Sequence, residues 1–344
     1  MIACVAQLVV QLIRNEQVAG SSPVTSFLYN AFPVWECVFS CNIGILSIGR
    51  NLNNQERLID MIEKTPRIAC INDISGFGRC SLTTAISVIS SAGVQVCPVP
   101  TAILSKHTGF PQFYFSDFTK QLPDYLKDWD GLTFDGIYSG FLGSELQIET
   151  VSDFMEKMLN SENPPKIIID TVIGDNGKPY PTYTPEMCSR MKELIRYADV
   201  ITPNLTETAI LTGTEYRGES IPLDDAKKSA EELCKMGAKS VVITGIADGE
   251  FLVNLSFENG VFSADRIHRT AQIFSGTGDL FASVLSACEM RGIKLSRSVS
   301  IAGKFISDAT LHTLNIGADI KNGVVFEPFL WSLGREISAL IPIP

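Results

Sequence analysis

The sequence is organised around the stretch Gly276-Thr277-Gly278-Asp279, which runs directly into an apolar segment at 280–287. Two glycines allow a tight turn, and the apolar run predicts a helix whose first-turn N–H groups have no partner within the helix. Such a helix start attracts anions because the peptide dipoles place positive potential there. A carboxylate at Asp279 could take a proton from an attacking hydroxyl beside the bound anion, which predicts phosphoryl transfer. The alternatives are an ordinary turn and an acidic residue that only compensates the helix dipole.

Composition limits the class of protein. The chain has 344 residues, of which 45% are hydrophobic, which suits one large α/β domain or two smaller ones. Its 28 basic and 38 acidic residues give a net charge of −10, and no basic cluster interrupts the acidic background, so nucleic acid is not an expected partner. Nine cysteines without a Cys-x-x-Cys pair indicate reduced thiols and a cytoplasmic location. Three histidines argue against a zinc site.

The first sixty residues differ in character from the rest. Val5-Ala6-Gln7-Leu8-Val9 and Gly20-Ser21-Ser22-Pro23-Val24 resemble the conceptual translation of the D-arm and T-loop consensus sequences of a tRNA gene. We therefore expect an over-extended gene start, with the protein beginning near Met61 and residues 1–60 either absent from the native protein or disordered. The segment fits neither a signal peptide nor a membrane anchor. The alternative to an over-extended start is a divergent N-terminal extension.

From residue 66 onward, the apolar periodicity alternates between strands and helices. Strands are predicted at 67–72, 95–99, 136–140, 166–171, 199–202, 240–244, 251–256 and 260–266, and helices at 81–92, 116–129, 144–159, 185–197, 205–212, 223–236, 279–291 and 296–313. This order predicts an α/β fold with a doubly wound, mostly parallel central sheet flanked by helices on both faces. One domain is expected over 61–338, followed by a tail at 339–344. Its ligands should lie outside the carboxyl ends of the strands.

Polar residues follow the first and the fourth of these strands. Asp73 and Ser75 come after the first strand, where they could meet a substrate or cap the next helix. Asp170 comes directly after the apolar residues 167–169 of the strand at 166–171, and Asp175 lies on the other side of the turn that follows. Two carboxylates in such a turn suit a magnesium ion carried on nucleotide phosphates, because Mg²⁺ takes few protein ligands and keeps several waters.

Two further strand ends carry candidate residues. Asn204 and Glu207 follow the strand at 199–202, where they could form the capping box of the next helix or face a metal and phosphate. Thr244-Gly245 ends the strand at 240–244. Because the carboxyl ends of parallel strands meet at one edge of a sheet, we expect these residues to converge with the turn at Gly276.

Several segments in this order resemble the ribokinase-like superfamily and, within it, the pyridoxal/pyridoxamine kinase branch. Ser105-Lys106-His107-Thr108-Gly109-Phe110 is similar to that branch's Ser-Asn-His-Thr-Gly-Tyr segment, and the segment 170–175 is similar to its Asp-Pro-Val-Leu-Gly-Asp. The segment 198–204, which ends in Asn204, resembles its Ala-Asp-Ile-Ile-Thr-Pro-Asn. The Gly276 turn has the form of the superfamily signature that this branch uses. The resemblance covers residues 66 to about 315.

The resemblance implies a role for each matching residue. The activity it implies is ATP-dependent phosphorylation of the 5′-hydroxymethyl group of a B6 vitamer (pyridoxal, pyridoxamine or pyridoxine) in salvage to pyridoxal 5′-phosphate. It implies ATP and Mg²⁺, suggests K⁺ and a homodimer, and involves no membrane. By group, the implied residues are the base Asp279 with the anion-hole amides of Gly276, Thr277 and Gly278; Asp73, Ser75, His107, Thr108 and Phe141 at the substrate; Thr202, Asn204, Thr244, Gly245 and Tyr183 at the nucleotide; and Asp170, Asp175 and Glu207 at magnesium.

Some positions depart from the family pattern and leave alternatives open. Asp73 stands where relatives commonly have Ser, and Phe141 where a Tyr stacks on the pyridine ring. Asp73 could pair with a pyridinium nitrogen or an amino group, which favours pyridoxamine over pyridoxal. His107 is either a contact to the ring or a hydrogen-bonded structural residue. The alternative activity is that of a hydroxymethylpyrimidine kinase, and the alternative from another class is a catalytically silent sensor of vitamer or nucleotide.

Overall fold

The computed structural model describes residues 65–270, 272 and 274–341, so the expectation for residues 1–60 lies outside the described residues. Eleven strands occur in these residues: β1 Arg67–Ser75, β2 Gln95–Leu104, β3 Phe115–Asp117, β4 Gly136–Ser139, β5 Lys166–Ile169, β6 Gly174–Asp175, β7 Lys178–Pro179, β8 Val200–Ile201, β9 Ser240–Asp248, β10 Phe251–Glu258 and β11 Val261–His268.

The same residues form nine α-helices. They are α1 Ser81–Ser91, α2 Leu122–Lys127, α3 Glu145–Leu159, α4 Pro185–Leu194, α5 Leu205–Thr212, α6 Leu223–Lys235, α7 Thr277–Met290, α8 Leu295–Asn315 and α9 Leu330–Leu340. Among the helices of these described residues, none combines the length and the apolarity needed to cross a bilayer.

Nine of the strands form one sheet in the order β11-β10-β9-β8-β5-β4-β1-β2-β3. The six central strands from β9 to β2 are parallel, while β3, β10 and β11 run antiparallel to their neighbours. The last two predicted strands form a hairpin at the far edge, with Asn259-Gly260 as the turn between β10 and β11. The predicted α/β fold with a mostly parallel central sheet is therefore confirmed.

Helices cover both faces of the sheet because alternate residues of its strands point to opposite sides. On β1, Ala69 and Ile71 pack with α3, α4 and α6 in one apolar core, whereas Ile68 and Cys70 pack with α1, α7 and α8 in the other. All four side chains have no exposed surface. This burial on both faces explains the continuous apolar runs of the central strands.

The segment predicted as one helix at 116–129 is different in the structure. Residues Phe115–Asp117 form the edge strand β3, which pairs with β2, and a short helix begins only at Leu122. The backbone N–H of Phe118 donates to the carbonyl of Thr101, a contact between residues far apart in sequence. The helical prediction was wrong because local periodicity does not reveal such pairing.

The C-terminal part contains a helix that the sequence did not predict. Helix α9 packs Leu333 and Ile337 into the same core as α1 and α7, and it continues to Leu340. Gly334 makes this packing close, because a Cβ atom at that position would lie 2.3 Å from the carbonyl oxygen of Ser91. The helix thus extends the fold two residues beyond the expected domain end at 338.

Candidate active site

The carboxyl ends of β1, β4, β5 and β8 are neighbours in the sheet, and each supplies a polar residue. Asn72 lies near the end of β1, Ser139 ends β4, Asp170 follows β5, and Thr202 follows β8. All four are buried. The start of α7 meets this edge, because a Cβ atom at Gly278 would lie 3.9 Å from Oδ2 of Asp170. The expected convergence of strand ends and glycine turn is therefore present.

The start of α7 has the geometry of an anion site. Gly276 is its N-cap with φ of 82°, a left-handed conformation that favours glycine. A Cβ atom there would lie 2.2 Å from the carbonyl oxygen of Arg79, so no larger residue fits without a backbone shift. The first bond into the helix runs from the N–H of Leu280 to the carbonyl of Gly276. The N–H groups of Thr277 and Gly278 precede it and point out of the helix start.

Asp279 lies in the first turn of α7 and is partly buried. Its Oδ1 accepts a hydrogen bond from Nδ2 of Asn72 at 3.2 Å, and the nearby backbone of Ser81 favours the charged form of the carboxylate. Burial raises its pKa to about 7, and the nearby carboxylates of Asp170 and Asp73 act in the same direction. A carboxylate with this pKa can accept a proton from an alcohol near neutral pH.

Asp170 lies between β5 and the start of α7. Its Oδ1 accepts a hydrogen bond from Oγ1 of Thr202 at 2.8 Å, while its Oδ2 faces Gly278. Burial raises the pKa of Asp170 to about 6. A carboxylate oxygen that faces the anion site is a suitable ligand for magnesium or its waters, because hard cations prefer oxygen ligands.

Asn204 and Glu207 form the capping box of α5, the alternative to a contact with metal and phosphate. The backbone N–H of Glu207 donates to Oδ1 of Asn204, and the N–H of Asn204 donates to Oε2 of Glu207, both at 2.9 Å. Oε2 of Glu207 also accepts from Oγ1 of Thr171, and Oε1 accepts from the N–H of Ile173, both at 3.1 Å. Glu207 therefore fixes the loop that follows Asp170, and burial followed by the charge of Asp170 raises its pKa well above the usual value.

The three residues expected at magnesium do not meet as one centre. Asp175 is exposed on the two-residue strand β6 and accepts hydrogen bonds from the N–H and Nδ2 of Asn176 at 2.8 and 3.0 Å. Within the described residues, no three His, Cys, Asp or Glu side chains are grouped as metal ligands. Asp170 and Glu207 lie close enough for their charges to interact, whereas Asp175 lies exposed on β6.

The nucleotide candidates occupy different environments. Thr244 is partly buried and bridges the β9 strand to Asn204, with its N–H donating to the carbonyl of Pro203 at 2.9 Å. Gly245 is exposed with φ of 73°, and its N–H donates to Oδ1 of Asn254 at 3.2 Å. These two residues are at the sheet edge beside the capping box, whereas Tyr183 is buried in the core against α4.

Tyr180, which the sequence analysis did not single out, is the more accessible tyrosine of this segment. Burial raises the pKa of its hydroxyl, and so do the carboxylates of Glu207, Asp175 and Asp170. Its phenol group therefore lies close to these acidic residues, whereas Tyr183, which was expected at the nucleotide, is buried in the core. Nothing in the sequence distinguishes the two tyrosines, because which of them faces the core depends on the ribbon formed by β6 and β7.

The substrate candidates surround the end of β1. Asp73 is buried, and its Oδ2 accepts from Oγ of Ser75 at 3.0 Å. The nearby Ser81 side chain also favours the charged form of Asp73, although burial is the larger effect and raises the pKa of Asp73. Phe141 is partly buried, and its N–H donates to Oδ1 of Asn72 at 2.9 Å. Asn72 and Ser81 thus contact the site although neither was predicted as a site residue.

His107 has both ring nitrogens engaged within the protein. Nδ1 accepts from the N–H of Gly109 at 3.1 Å, which leaves Nε2 to donate to the carbonyl of Lys321 at 2.7 Å. The ring also packs on Gly78, where a Cβ atom would lie 2.2 Å from it. These contacts agree with the structural alternative for His107, while the adjacent Thr108 is exposed.

An α/β sheet whose carboxyl edge brings the N–H groups at the start of α7 beside the carboxylate of Asp279 has an arrangement that suits phosphoryl transfer to an alcohol group. The chain belongs to the phosphomethylpyrimidine kinase family, whose model matches residues 81–324. The resemblance to pyridoxal kinases and the ribokinase-like superfamily is thereby confirmed.

Three relatives illustrate the similarity. Pyridoxal kinase of Arabidopsis thaliana is 29% identical over 64% of this chain and 73% of its own length. Hydroxymethylpyrimidine/phosphomethylpyrimidine kinase of Bacillus subtilis is 29% identical over 54% of this chain and 66% of its own length. The crystal structure of a Bacteroides thetaiotaomicron protein assigned as a phosphomethylpyrimidine kinase, in a form with pyridoxal, is 36% identical, has a TM-score of 0.74, and covers 78% of this chain and 96% of that one.

Proposed function

We propose that this kinase transfers the γ-phosphoryl group of ATP to the 5′-hydroxymethyl group of a B6 vitamer. The observation that carries the proposal is the position of Asp279, whose pKa is raised to about 7 in the first turn of α7 beside the free N–H groups of that helix. The proposed base and the proposed anion site thus both lie in the first turn of α7. A solved relative at 36% identity contains pyridoxal, which supports this class of acceptor.

In the proposed reaction, the hydroxymethyl oxygen attacks the γ-phosphorus while its proton passes to Asp279. The bond between γ-phosphorus and the bridging oxygen breaks, and ADP leaves with that electron pair. The N–H groups at Gly276, Thr277 and Gly278 stabilise the charge on the equatorial oxygens of the transferring group. Thr244 and Gly245, at the adjacent sheet edge, lie where the rest of the nucleotide would be held.

We propose Asp170 as the residue that faces magnesium. Mg²⁺ bound with the nucleotide would neutralise phosphate charge. The free Oδ2 of Asp170 beside Gly278 fits this role, and Glu207 supports it by holding Thr171 and Ile173. A K⁺ requirement, a homodimer and a place in B6 salvage rest on the family resemblance, whereas a cytoplasmic location rests on the reduced thiols that the cysteine pattern indicates.

Asp73 is proposed to select the vitamer. Its carboxylate is buried between Ser75 and Ser81 at the end of β1, and an uncompensated charge there is costly. A cationic ring nitrogen or amino group on the substrate would compensate this charge. The preferred acceptor is therefore expected to be pyridoxamine rather than pyridoxal.

The alternative acceptor is hydroxymethylpyrimidine, which the family description and the Bacillus subtilis relative favour. The test is a side-by-side measurement of kcat/KM for pyridoxal, pyridoxine, pyridoxamine and hydroxymethylpyrimidine with Mg·ATP. We expect a B6 vitamer to give the highest value, and the matched variant Asp73→Ser to lose the preference for pyridoxamine. A higher value for hydroxymethylpyrimidine would overturn the vitamer assignment, and no turnover of any acceptor would favour a silent sensor.

A further inference from the structure

The side chain of Asn72 connects the proposed base to both loops that flank the substrate. It is 1% exposed. Its Oδ1 accepts hydrogen bonds from the N–H of Asp73 and the N–H of Phe141, both at 2.9 Å, while its Nδ2 donates to Oδ1 of Asp279 at 3.2 Å. One carboxamide therefore contacts the end of β1, the end of β4 and the start of α7.

The orientation of this carboxamide is fixed by its partners. A carboxamide presents one acceptor oxygen and one donor nitrogen, and the oxygen of Asn72 already faces two backbone N–H groups. A flip would place the NH₂ group against those two donors and the oxygen against the Asp279 carboxylate. Both contacts would then be repulsive, so the NH₂ group of Asn72 must face Asp279.

The Asn72 carboxamide packs directly against the backbone of Gly140. A Cβ atom on Gly140 would lie 2.4 Å from Nδ2 and 2.7 Å from Cγ of Asn72. The three atoms nearest to that position all belong to the Asn72 side chain. Gly140 therefore permits the placement of Asn72, and a methyl group there would displace the carboxamide before it touched another residue.

Ser81 lies beside the carboxylates of Asp73 and Asp279. Its side chain acts to lower the pKa of Asp73 and its backbone acts to lower the pKa of Asp279, although burial raises both more strongly. Its φ is 53°, a left-handed conformation that is uncommon for a residue other than glycine. Such strain is retained where the surrounding structure requires it, which agrees with a demand for fixed geometry at this site.

We infer that Asn72 is a positioning residue that holds the Asp279 carboxylate at a fixed distance and orientation from the substrate loops at Asp73 and Phe141. It takes no proton itself. Its effect is on the approach of Asp279 to the acceptor hydroxyl, for which small displacements are costly in rate. This inference rests on the proposed role of Asp279 as the base.

The variant Asn72→Asp tests the inference. It keeps an acceptor oxygen for the N–H groups of Asp73 and Phe141 but replaces the donor to Asp279 with a second acceptor. We expect kcat to fall by about 10- to 100-fold, as for other residues that orient a reacting group, while KM for vitamer and for ATP stays within about threefold. Gly140→Ala, which displaces the same carboxamide, should lower kcat in the same way if Asn72→Asp does not fold.

Thr101→Val is the matched control. Oγ1 of Thr101 donates to the carbonyl of Phe141 at 2.9 Å, so this residue holds the same loop without touching Asp279. We expect Thr101→Val to lower the melting temperature and keep kcat within about twofold, since it removes a hydrogen bond remote from the reacting atoms.

Three outcomes would overturn the inference: unchanged kcat in Asn72→Asp, an effect on KM alone, or an equal loss of kcat in Thr101→Val. The proposed function fails separately, because it requires Asp279→Asn to lose activity. An active Asp279→Asn would reject the base itself, whereas an inactive Asp279→Asn with an active Asn72→Asp would reject only the role of Asn72.

Discussion

Asp279 and Glu207 both lie in the first turn of a helix at the carboxyl edge of the sheet, but their carboxylates are satisfied differently. Glu207 is 4% exposed and accepts from Asn204, Thr171 and Ile173. Asp279 remains partly exposed, and its carboxylate accepts a hydrogen bond from Asn72. A carboxylate can accept about four hydrogen bonds, so Asp279 keeps room for a ligand's proton while Glu207 is largely occupied by protein donors.

The difference shows why an acidic residue in a first helical turn does not by itself identify a catalytic group. Burial raises the pKa of both side chains, so a raised pKa does not separate them either. The two side chains differ in solvent accessibility and in the number of protein groups that donate hydrogen bonds to them. Glu207 stabilises the loop beside Asp170, and Asp279 keeps the accessibility that its proposed role as base requires.

The largest expected effect is that of Asp279→Asn on the chemical step. We expect kcat to fall by roughly two to four orders of magnitude, the usual contribution of general-base catalysis. Fold and ATP binding should be retained, because a carboxamide has nearly the same shape and removes a buried charge rather than adding one. Single-turnover kinetics would measure the chemical step, and a melting curve with and without ATP would measure fold and ATP binding. A near-normal kcat would contradict the assignment of Asp279 as the base.

The equivalent change at Glu207 should have a smaller effect and a different signature. Glu207→Gln places an NH₂ group among N–H and O–H donors, so we expect a loss of about 1 kcal/mol in the free energy of unfolding. The magnesium concentration at half-maximal activity should stay unchanged. Thermal or denaturant unfolding and a magnesium titration on this variant give the two readouts. A raised magnesium midpoint without loss of stability would return Glu207 to the metal residues.

Much of this edge could be predicted from sequence because its signals are local. The glycines of the turn at Gly276, the proposed base Asp279 and the apolar start of α7 all lie within the twelve residues 276–287. The capping box of Asn204 and Glu207 lies within four residues. Strand ends carry polar residues at recognisable positions, as at Asp170. Local chemistry of this kind was sufficient for the parallel sheet, the start of α7 and the position of Asp279.

The parts that were missed depend on contacts between distant segments. Asn72 reaches Asp279 across 207 positions of sequence, and no local pattern indicates that pairing. Which of Tyr180 and Tyr183 faces the carboxylates depends on the ribbon of β6 and β7. The edge strand β3 overlaps a segment, 116–129, whose apolar residues recur at helical spacing. Its hydrogen bonds to β2 make residues 115–117 a strand instead.

The most direct test of the account is the dependence of kcat/KM on pH for the wild-type enzyme and Asp279→Asn, measured with the same vitamer and saturating Mg·ATP. A base must be deprotonated to act, so a carboxyl with a pKa of about 7 predicts that wild-type activity falls as pH drops below that value. Both proteins share the ionisations of substrate and nucleotide, so the difference between their profiles belongs to Asp279. The account predicts an acid limb near pH 7 in the wild type that is absent from the residual activity of the variant. A limb of the same position in both proteins, or a flat wild-type profile, would contradict it.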